Sequence, residues 1–285
     1  MTTQADKGRA FRALHERARA FIIPNPWDPG TARLLAQRGF EALATTSAGF
    51  AFSMGQPDNT VGRDVMIAHL AAIASATGLP VSADLENGYG DEAEAVAETI
   101  RRAAAAGAVG GSIEDATGRR DCPIYELAHA VERIAAAAEV ARGLGTTFTL
   151  TARAENYLAG RPDLADTIRR LQAYQTAGAD VLYAPGLTSQ GDIAAVVRSL
   201  DRPVNVLAGL TGAKLTLADL SALGVRRVSV GSLLSRVALG AFLGAAAEMQ
   251  DHGTFSFADD AVPYADLNDM FERSNTFPPP WCSSP

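Results

Sequence analysis

The sequence predicts an α/β fold of the TIM type, a (β/α)8 barrel carrying an additional C-terminal helix. Three observations lead there. Eight short apolar runs alternate with longer stretches rich in Ala, Leu, Arg and Glu. Four of those stretches end in a Gly that passes at once into an apolar run, in ARLLAQRGF, RRAAAAGAVG, YQTAGADVL and LSALGVRRVSV. Runs such as VSADL and VNVLAG are apolar on successive residues instead of alternating. A helix closed by a left-handed Gly and followed directly by a strand is the repeat of parallel α/β folds, and consecutive apolar residues suit strands covered by helices on the outside. A doubly wound open sheet is the runner-up, but no GxGxxG follows the first run.

In chain order, MTTQADKGRAFRALHERARAF opens as a basic amphipathic helix without the unbroken apolar stretch of a signal peptide. Strands are expected at 21–23, 42–47, 81–85, 111–115, 148–153, 180–184, 204–207 and 227–231. Helices are expected at 31–38, 63–77, 92–106, 125–142, 164–177, 190–199 and 217–223, so the order is strand then helix, repeated. Gly88 and Gly90 permit a tight turn before the helix that Asp91 and Glu92 open with acidic charge. After the eighth strand, residues 232–250 form a long apolar helix, and the Phe-, Pro- and Asp-rich tail beyond it, with a short helix at 264–273, is an appendage and not a ninth repeat. That short helix packs on its own barrel or on a neighbouring subunit. The whole chain, 1–285, is read as one barrel domain, with 232–285 as its helical appendage.

Composition excludes several classes of function. Lys+Arg 25 against Asp+Glu 32 gives a net charge of -7, the wrong sign for a nucleic-acid partner. The apolar segment 237–247 is too short to cross a bilayer, which takes about 20 residues. Two cysteines, Cys122 and Cys282, make neither a disulfide framework nor a four-Cys zinc site, and a reducing cytoplasm fits best.

In a barrel of this type catalytic groups sit at the C-terminal ends of the strands and in the loops after them. The polar residues expected there are Asp28, Ser47, Asp84, Glu86, Glu114, Asp115, Arg153, Glu155, Tyr183 and Asn205. His15, His69 and His129 fall in helices and His252 in the tail, which disfavours a His-based zinc site or a Ser-His-Asp triad. What remains is an oxygen-rich acidic cluster suited to a hard cation such as Mg²⁺, with Mn²⁺ as the alternative. Asp84 and Glu86 are two residues apart, so an extended backbone points both to one face. Glu114 faces the site if Ile113 faces the helices, and Asp115 then points away toward neighbouring backbone amides. Arg153 stands opposite the acids, where it either neutralises them or clamps a substrate carboxylate.

At these residues the sequence resembles the isocitrate lyase/phosphoenolpyruvate mutase superfamily over residues 10–250. The phrases that carry the resemblance are TTSAGFAFSMGQPD at 45–58, SADLENGYG at 82–90, SIEDATG at 112–118, TARAENYL at 151–158 and GADVLYAP at 178–185. The resemblance implies a TIM-like barrel with Mg²⁺, a homo-oligomer (dimer or tetramer) and a helix after the eighth strand exchanged between subunits. It implies that Ser47, Ala48 and Gly49 hold the substrate's carboxylate and oxo group and that Asp84 contacts Mg²⁺, directly or through water, with Glu86, Glu114 and Asp58 around it. Arg153 binds the carboxylate or the oxygen that becomes an enolate, and Asn205 lines the pocket, together with Tyr183. The family usually has Asp at the position of Glu86. In the loop after the fourth strand, family lyases carry a Lys-Lys/Arg-Cys-Gly-His motif whose Cys is the acid/base. Here the loop reads ATGRRDCPIYE: Cys122 keeps the Cys offset from Gly118, but Pro123 follows it. The implied function is a Mg²⁺-dependent carbon–carbon lyase acting on a small 2-oxo or 2-hydroxy carboxylic acid through a metal-stabilised enolate. Phosphonopyruvate or phosphoenolpyruvate mutase or hydrolase chemistry, and a non-catalytic 2-oxo acid binder, are the alternatives.

Overall fold

The computed structural model describes residues 2–211 and 214–273; Cys282 and the end of the expected appendage lie outside the described residues. The strands are β1 (Phe21–Ile23), β2 (Leu43–Ala44), β3 (Val81–Asp84), β4 (Gly110–Glu114), β5 (Thr149–Arg153), β6 (Val181–Tyr183), β7 (Val204–Leu207) and β8 (Arg227–Ser229). They pair in parallel in the order β1-β8-β7-β6-β5-β4-β3-β2. The two outer strands meet where Ala44 N–H donates to Pro24 O at 3.0 Å and Asn25 Nδ2 donates to Thr45 O at 3.0 Å. The sheet thereby curls into a nearly closed (β/α)8 barrel, which sets aside the open-sheet alternative.

The helices are α1 (Gln4–Glu16), α2 (Pro29–Gln37), α3 (Ser47–Ser53), α4 (Arg63–Ala76), α5 (Ala93–Ala105), α6 (Leu127–Gly143), α7 (Leu164–Ala177), α8 (Gln190–Arg198), α9 (Leu217–Ala222), α10 (Leu233–His252) and α11 (Tyr264–Arg273). Gly39, Gly107, Gly178 and Gly224, the four glycines read as helix stops, all have φ between +82° and +110°. The expected strand at 42–47 is cut to two residues, because Thr46 turns the chain and accepts Gly49 N–H to cap α3. Asp28 is likewise a helix cap, accepting Thr31 N–H at 2.7 Å ahead of Pro29.

Alanine-rich faces bring α5 and α6 together through Ala97, Ala103, Ala137 and Ala138, over strands whose Ile113, Leu150 and Leu182 are fully buried. Each such large side chain contributes about 1.5–3 kcal/mol. α1 closes the N-terminal end of the barrel with Phe11 and Leu14 against Phe21 and Ile23. Gly110 on β4 makes room for that plug: a Cβ there would lie 2.8 Å from the Phe11 ring and from Thr149 O. With the lower end sealed, access to the interior is from the C-terminal ends of the strands. Register then stacks Arg153, Tyr183, Asn205 and Arg227 in one row across β5 to β8.

α11 packs on α2 of its own chain. α10 behaves differently: Ser235 is its buried residue, next to α3, while Val237, Phe242 and Leu243 are more than 60% exposed. No helix of the described residues is long and apolar enough to cross a membrane.

Candidate active site

A cavity of about 490 Å³ opens at the C-terminal ends of the strands. Of the residues expected at the site, Ser47, Ala48, Asp58, Asp84, Glu114, Arg153, Tyr183 and Asn205 line it. Its centre is Arg153. Nη1 lies 3.0 Å from both Asp84 Oδ1 and Glu114 Oε2, and Nη2 and Nε donate to Glu155 Oε1 at 2.8 and 2.9 Å. The guanidinium carbon stands 5.2 Å over the Tyr183 ring. The ends of β3, β4, β5 and β6 are thus joined through one cation.

Asp84 Oδ2 accepts the backbone N–H of Ser47 at 3.1 Å and its hydroxyl at 3.0 Å, while Thr45 Oγ1 accepts Asp84 N–H at 2.8 Å. Ser112, two residues before Glu114 and on the same strand face, approaches Asp84 Oδ1 at 3.5 Å. Asp115 points the other way, as expected: Oδ1 accepts Glu155 N–H at 2.8 Å and Oδ2 accepts from Tyr174 at 2.6 Å and Arg170 at 3.1 Å. This outward ion pair fixes the backbone from which Glu114 and Arg153 face inward.

Three residues sit differently from the others expected at the site. The backbone does not stay extended to Glu86: β3 stops at Asp84 and Glu86 takes φ +49°, so the two-residue spacing does not place the pair on one face. Glu86 instead lines an adjoining pocket with Asn59, Asn87, Tyr89 and Glu114. Gly49 N–H is taken by Thr46 Oγ1, and Gly49 is not among the cavity-lining residues. Cys122 also stands outside the lining; its thiol donates to Ile124 O at 3.6 Å, and Gly118, Arg119, Arg120 and Pro123 are the loop residues that face the cavity. Arg119 is tied to Asp91 at 2.7 Å, and the Tyr125 hydroxyl donates to the same carboxylate at 2.5 Å.

The electrostatics are those of crowded buried acids. Burial pushes Glu114 well above the ordinary carboxylate range and raises Glu155, while Arg153 pulls both the other way. Glu86 is pushed up to about 8 by burial and by the charges of Asp84 and Asp58. Asp58 is raised by desolvation and by Asp84. Among the described residues the buried Tyr89 hydroxyl has no hydrogen-bond partner, and it lies beside the same acids. Asn59, Glu86 and Tyr89 are the non-glycine residues with positive φ among the described residues, and all lie on the two loops that flank the acids. Such conformations cost about 1–3 kcal/mol each and persist where surrounding structure enforces them.

An oxygen-only donor set whose members raise one another's pKa suits a hard divalent cation. Among the described residues no three acidic, His or Cys side chains converge as a direct ligand set. Mg²⁺ keeps several waters and takes one or two carboxylates directly, so it does not require such a set. Of the residues expected around the ion, Asp84, Asp58 and Glu114 line the main cavity and Glu86 the adjoining one, which Glu114 shares.

The barrel interior below the acids is polar as well. His15 Nδ1 lies 2.9 Å from Phe11 O, so it is the donor, and Nε2 faces Arg227 Nη1 at 3.5 Å as an acceptor. The ring is therefore neutral, and burial together with Arg227 pushes its pKa down to about 3. In the unfolded chain a histidine protonates near 6.5. The unfolded state then binds more protons over the window from about 6.5 down to 3, and stability falls as pH is lowered through it, by about 1.4 kcal/mol per pH unit. His69, pushed down to about 4 by burial, acts with the same sign. Urea unfolding of wild type and His15→Gln between pH 6.5 and 4.5 checks this: wild type is expected to lose stability relative to the variant as pH falls, and parallel curves would refute it.

Comparison with known proteins identifies the family. The sequence model of the phosphoenolpyruvate phosphomutase family matches residues 11–250. The chain is similar to the probable 2-methylisocitrate lyase 1 of Corynebacterium glutamicum, with 30% identity over 87% of this chain and 84% of that protein. A crystal structure of a Burkholderia cenocepacia J2315 protein described by class as a lyase/mutase is 66% identical, with TM-score 0.92 over 94% of this chain and 96% of that one. Phosphonopyruvate hydrolase in complex with oxalate and Mg²⁺ is 28% identical, with TM-score 0.83 over 95% and 96% of the two chains. The chain therefore belongs to the phosphoenolpyruvate phosphomutase family, within the isocitrate lyase/phosphoenolpyruvate mutase superfamily of enzymes.

Proposed function

We propose that the protein is a Mg²⁺-dependent lyase that cleaves or forms a carbon–carbon bond in a small 2-oxo or 2-hydroxy carboxylic acid by way of an enolate. The observation that carries this reading is Arg153, one guanidinium shared by Asp84, Glu114 and Glu155 in the lining of a cavity of about 490 Å³, roomy enough for a small carboxylic acid with its ion and waters. The chemistry supplied by bound Mg²⁺ is Lewis-acid polarisation of the substrate's oxo group. Arg153 presents N–H donors to the carboxylate and to the oxygen on which negative charge grows, in a buried setting where such donors act most strongly. Ala48 offers a backbone N–H from the start of α3, and Ser47, whose N–H and hydroxyl both go to Asp84, holds that carboxylate in place against the substrate. Tyr183 and Asn205 complete the wall. Support for the divalent ion and the carboxylate comes from the hydrolase relative that binds Mg²⁺ and oxalate.

Cys122 enters the proposal as the acid/base carried on the loop between β4 and α6, adjacent to Pro123 at the cavity rim. Cys122→Ser is expected to lower kcat at least about 100-fold and leave oxalate binding intact; unchanged kcat removes it from the chemistry. Similarity to phosphonopyruvate hydrolase favours a second reading, phosphorus–carbon cleavage, in which Arg119 and Arg120 at the rim face a phosphonate. Incubation with candidate acids, with and without Mg²⁺, followed by proton and phosphorus NMR separates the two.

The bare face of α10 supports an assembly of identical subunits, dimer or tetramer, in which this helix crosses to a neighbour; a cytoplasmic location is proposed with it. Twenty residues of helix span about 30 Å, and exposed apolar patches of this kind mark interfaces. Phe242→Asp with Leu243→Asp is expected to convert the assembly to monomer in light scattering, and an unchanged mass would exclude α10 from the interface.

A further inference from the structure

Arg153 and Arg227 line one cavity but are held in opposite ways. Arg153 is surrounded by carboxylates, with Asp84, Glu114 and Glu155 at 3.0 Å or less. Arg227 on β8 is buried at the base of the cavity and makes no ion pair among the described residues. Its hydrogen-bond partners are neutral: Nε donates to Asn205 Oδ1 at 3.0 Å, Nη2 to Thr151 Oγ1 at 3.0 Å, and Nη1 faces His15 Nε2 at 3.5 Å. These partners come from β7, β5 and α1 and engage all three nitrogens, which fixes the guanidinium in place. A guanidinium carries five N–H groups, so two of them have no acceptor among the described residues.

The depth of this group follows from the strand to which it reaches. Thr151 stands two residues before Arg153 on the same face of β5, about 6.6 Å lower along the strand. The head of Arg227 therefore lies one residue layer below the position of Arg153. The wall they share is polar, with Ser82, Ser112, Asn205 and Ser229 in it. Burial pushes the Arg227 pKa down to about 10, so the group is still a cation at neutral pH. A buried charge is costly unless it is paired, and a polar cavity that ends on an unpaired cation favours an anion there. The acids at the strand ends favour a divalent cation. The cavity is thus polarised along its depth.

We propose that Arg227 forms a second anion subsite at the base of the cavity, which takes the distal carboxylate of a ligand whose 2-oxo or 2-hydroxy acid end meets the strand-end acids and Arg153. Arg227 then determines specificity, selecting acids with two carboxylates over acids with one. This rests on the reading of the cavity as a Mg²⁺ and carboxylate site. Calorimetric titration of the full-length protein in one Mg²⁺ buffer tests it with two pairs of acids, lactate against malate and pyruvate against 2-oxoglutarate. Wild type is expected to bind the two-carboxylate member of at least one pair at least about tenfold tighter, the gain from hydrogen bonding to a charged group. In Arg227→Met that preference is expected to vanish, and in Arg227→Lys, which keeps the charge, most of it is expected to remain. A purely structural Arg227 would weaken all four acids alike and leave the preference unchanged. No preference in either pair for wild type overturns the inference without any variant. A preference that persists in Arg227→Met, or in Arg227→Gln should the methionine variant fail to fold, overturns it too. Either result leaves the functional reading standing while wild type binds oxalate in Mg²⁺. No Mg²⁺-dependent oxalate binding to wild type would overturn the functional reading and this inference together.

Discussion

Replacing Arg153 with methionine is expected to reduce kcat/KM by at least about 10²–10³-fold, the range seen when one donor to a developing oxyanion is removed, and to destabilise the fold. The two effects have one cause. Arg153 is the cation in contact with Asp84, Glu114 and Glu155, all drawn into a barrel end where water screens poorly. Breaking a buried ion pair by removing one partner costs about 3–5 kcal/mol. Part of that cost is avoided because Glu114 and Glu155, already raised by burial, take up protons once the guanidinium is gone. Arg153→Lys is expected to recover some stability and little activity: an ammonium is a point charge and cannot fork between Glu155 on one side and the Asp84 and Glu114 pair on the other. Thermal unfolding and steady-state kinetics on the same preparations check both halves. Full activity in the methionine variant would remove Arg153 from the chemistry.

Asp84→Asn is expected to abolish the Mg²⁺-dependent rise in thermal stability and to weaken oxalate at least about 100-fold, because it removes the carboxylate charge proposed to hold the metal. The substitution is isosteric, yet the structure gives it no comfortable orientation. One carboxylate oxygen accepts from Ser47 N–H and Oγ–H, the other from Arg153 Nη1. Whichever way the amide turns, its NH₂ meets a donor, at a cost of about 1–3 kcal/mol for the unsatisfied group. A variant that still gains stability from Mg²⁺ would show that another carboxylate holds the ion.

Much of this was legible in the sequence because it depends on local rules. Strand and helix order, the stops at Gly39, Gly107, Gly178 and Gly224, and the outward turn of Asp115 follow from left-handed glycines and from strand alternation. Positions that depend on tertiary context were not legible. The chain leaves β2 early because Thr46 caps α3, so Ser47 reaches the site from a helix and not from a strand end. Glu86 adopts a left-handed conformation that a carboxylate rarely prefers, and spacing rules for extended chains fail there. Arg227 carried a signal, a charged residue at the start of an apolar strand in RRVSV, but its place in one row with Asn205 and Tyr183 depends on register across β6, β7 and β8.

The central claim is that this cavity uses Mg²⁺ to make and break carbon–carbon bonds beside an enolate. Proton and phosphorus NMR of the purified protein with a panel of 2-oxo and 2-hydroxy acids, phosphonopyruvate and phosphoenolpyruvate, with and without Mg²⁺, tests it directly. A 2-oxo or 2-hydroxy acid is expected to be consumed into two smaller carbon products in the presence of Mg²⁺, with no turnover after chelation. New phosphorus signals from phosphonopyruvate or phosphoenolpyruvate as the only turnover, or tight oxalate binding with no turnover of any acid, would contradict it.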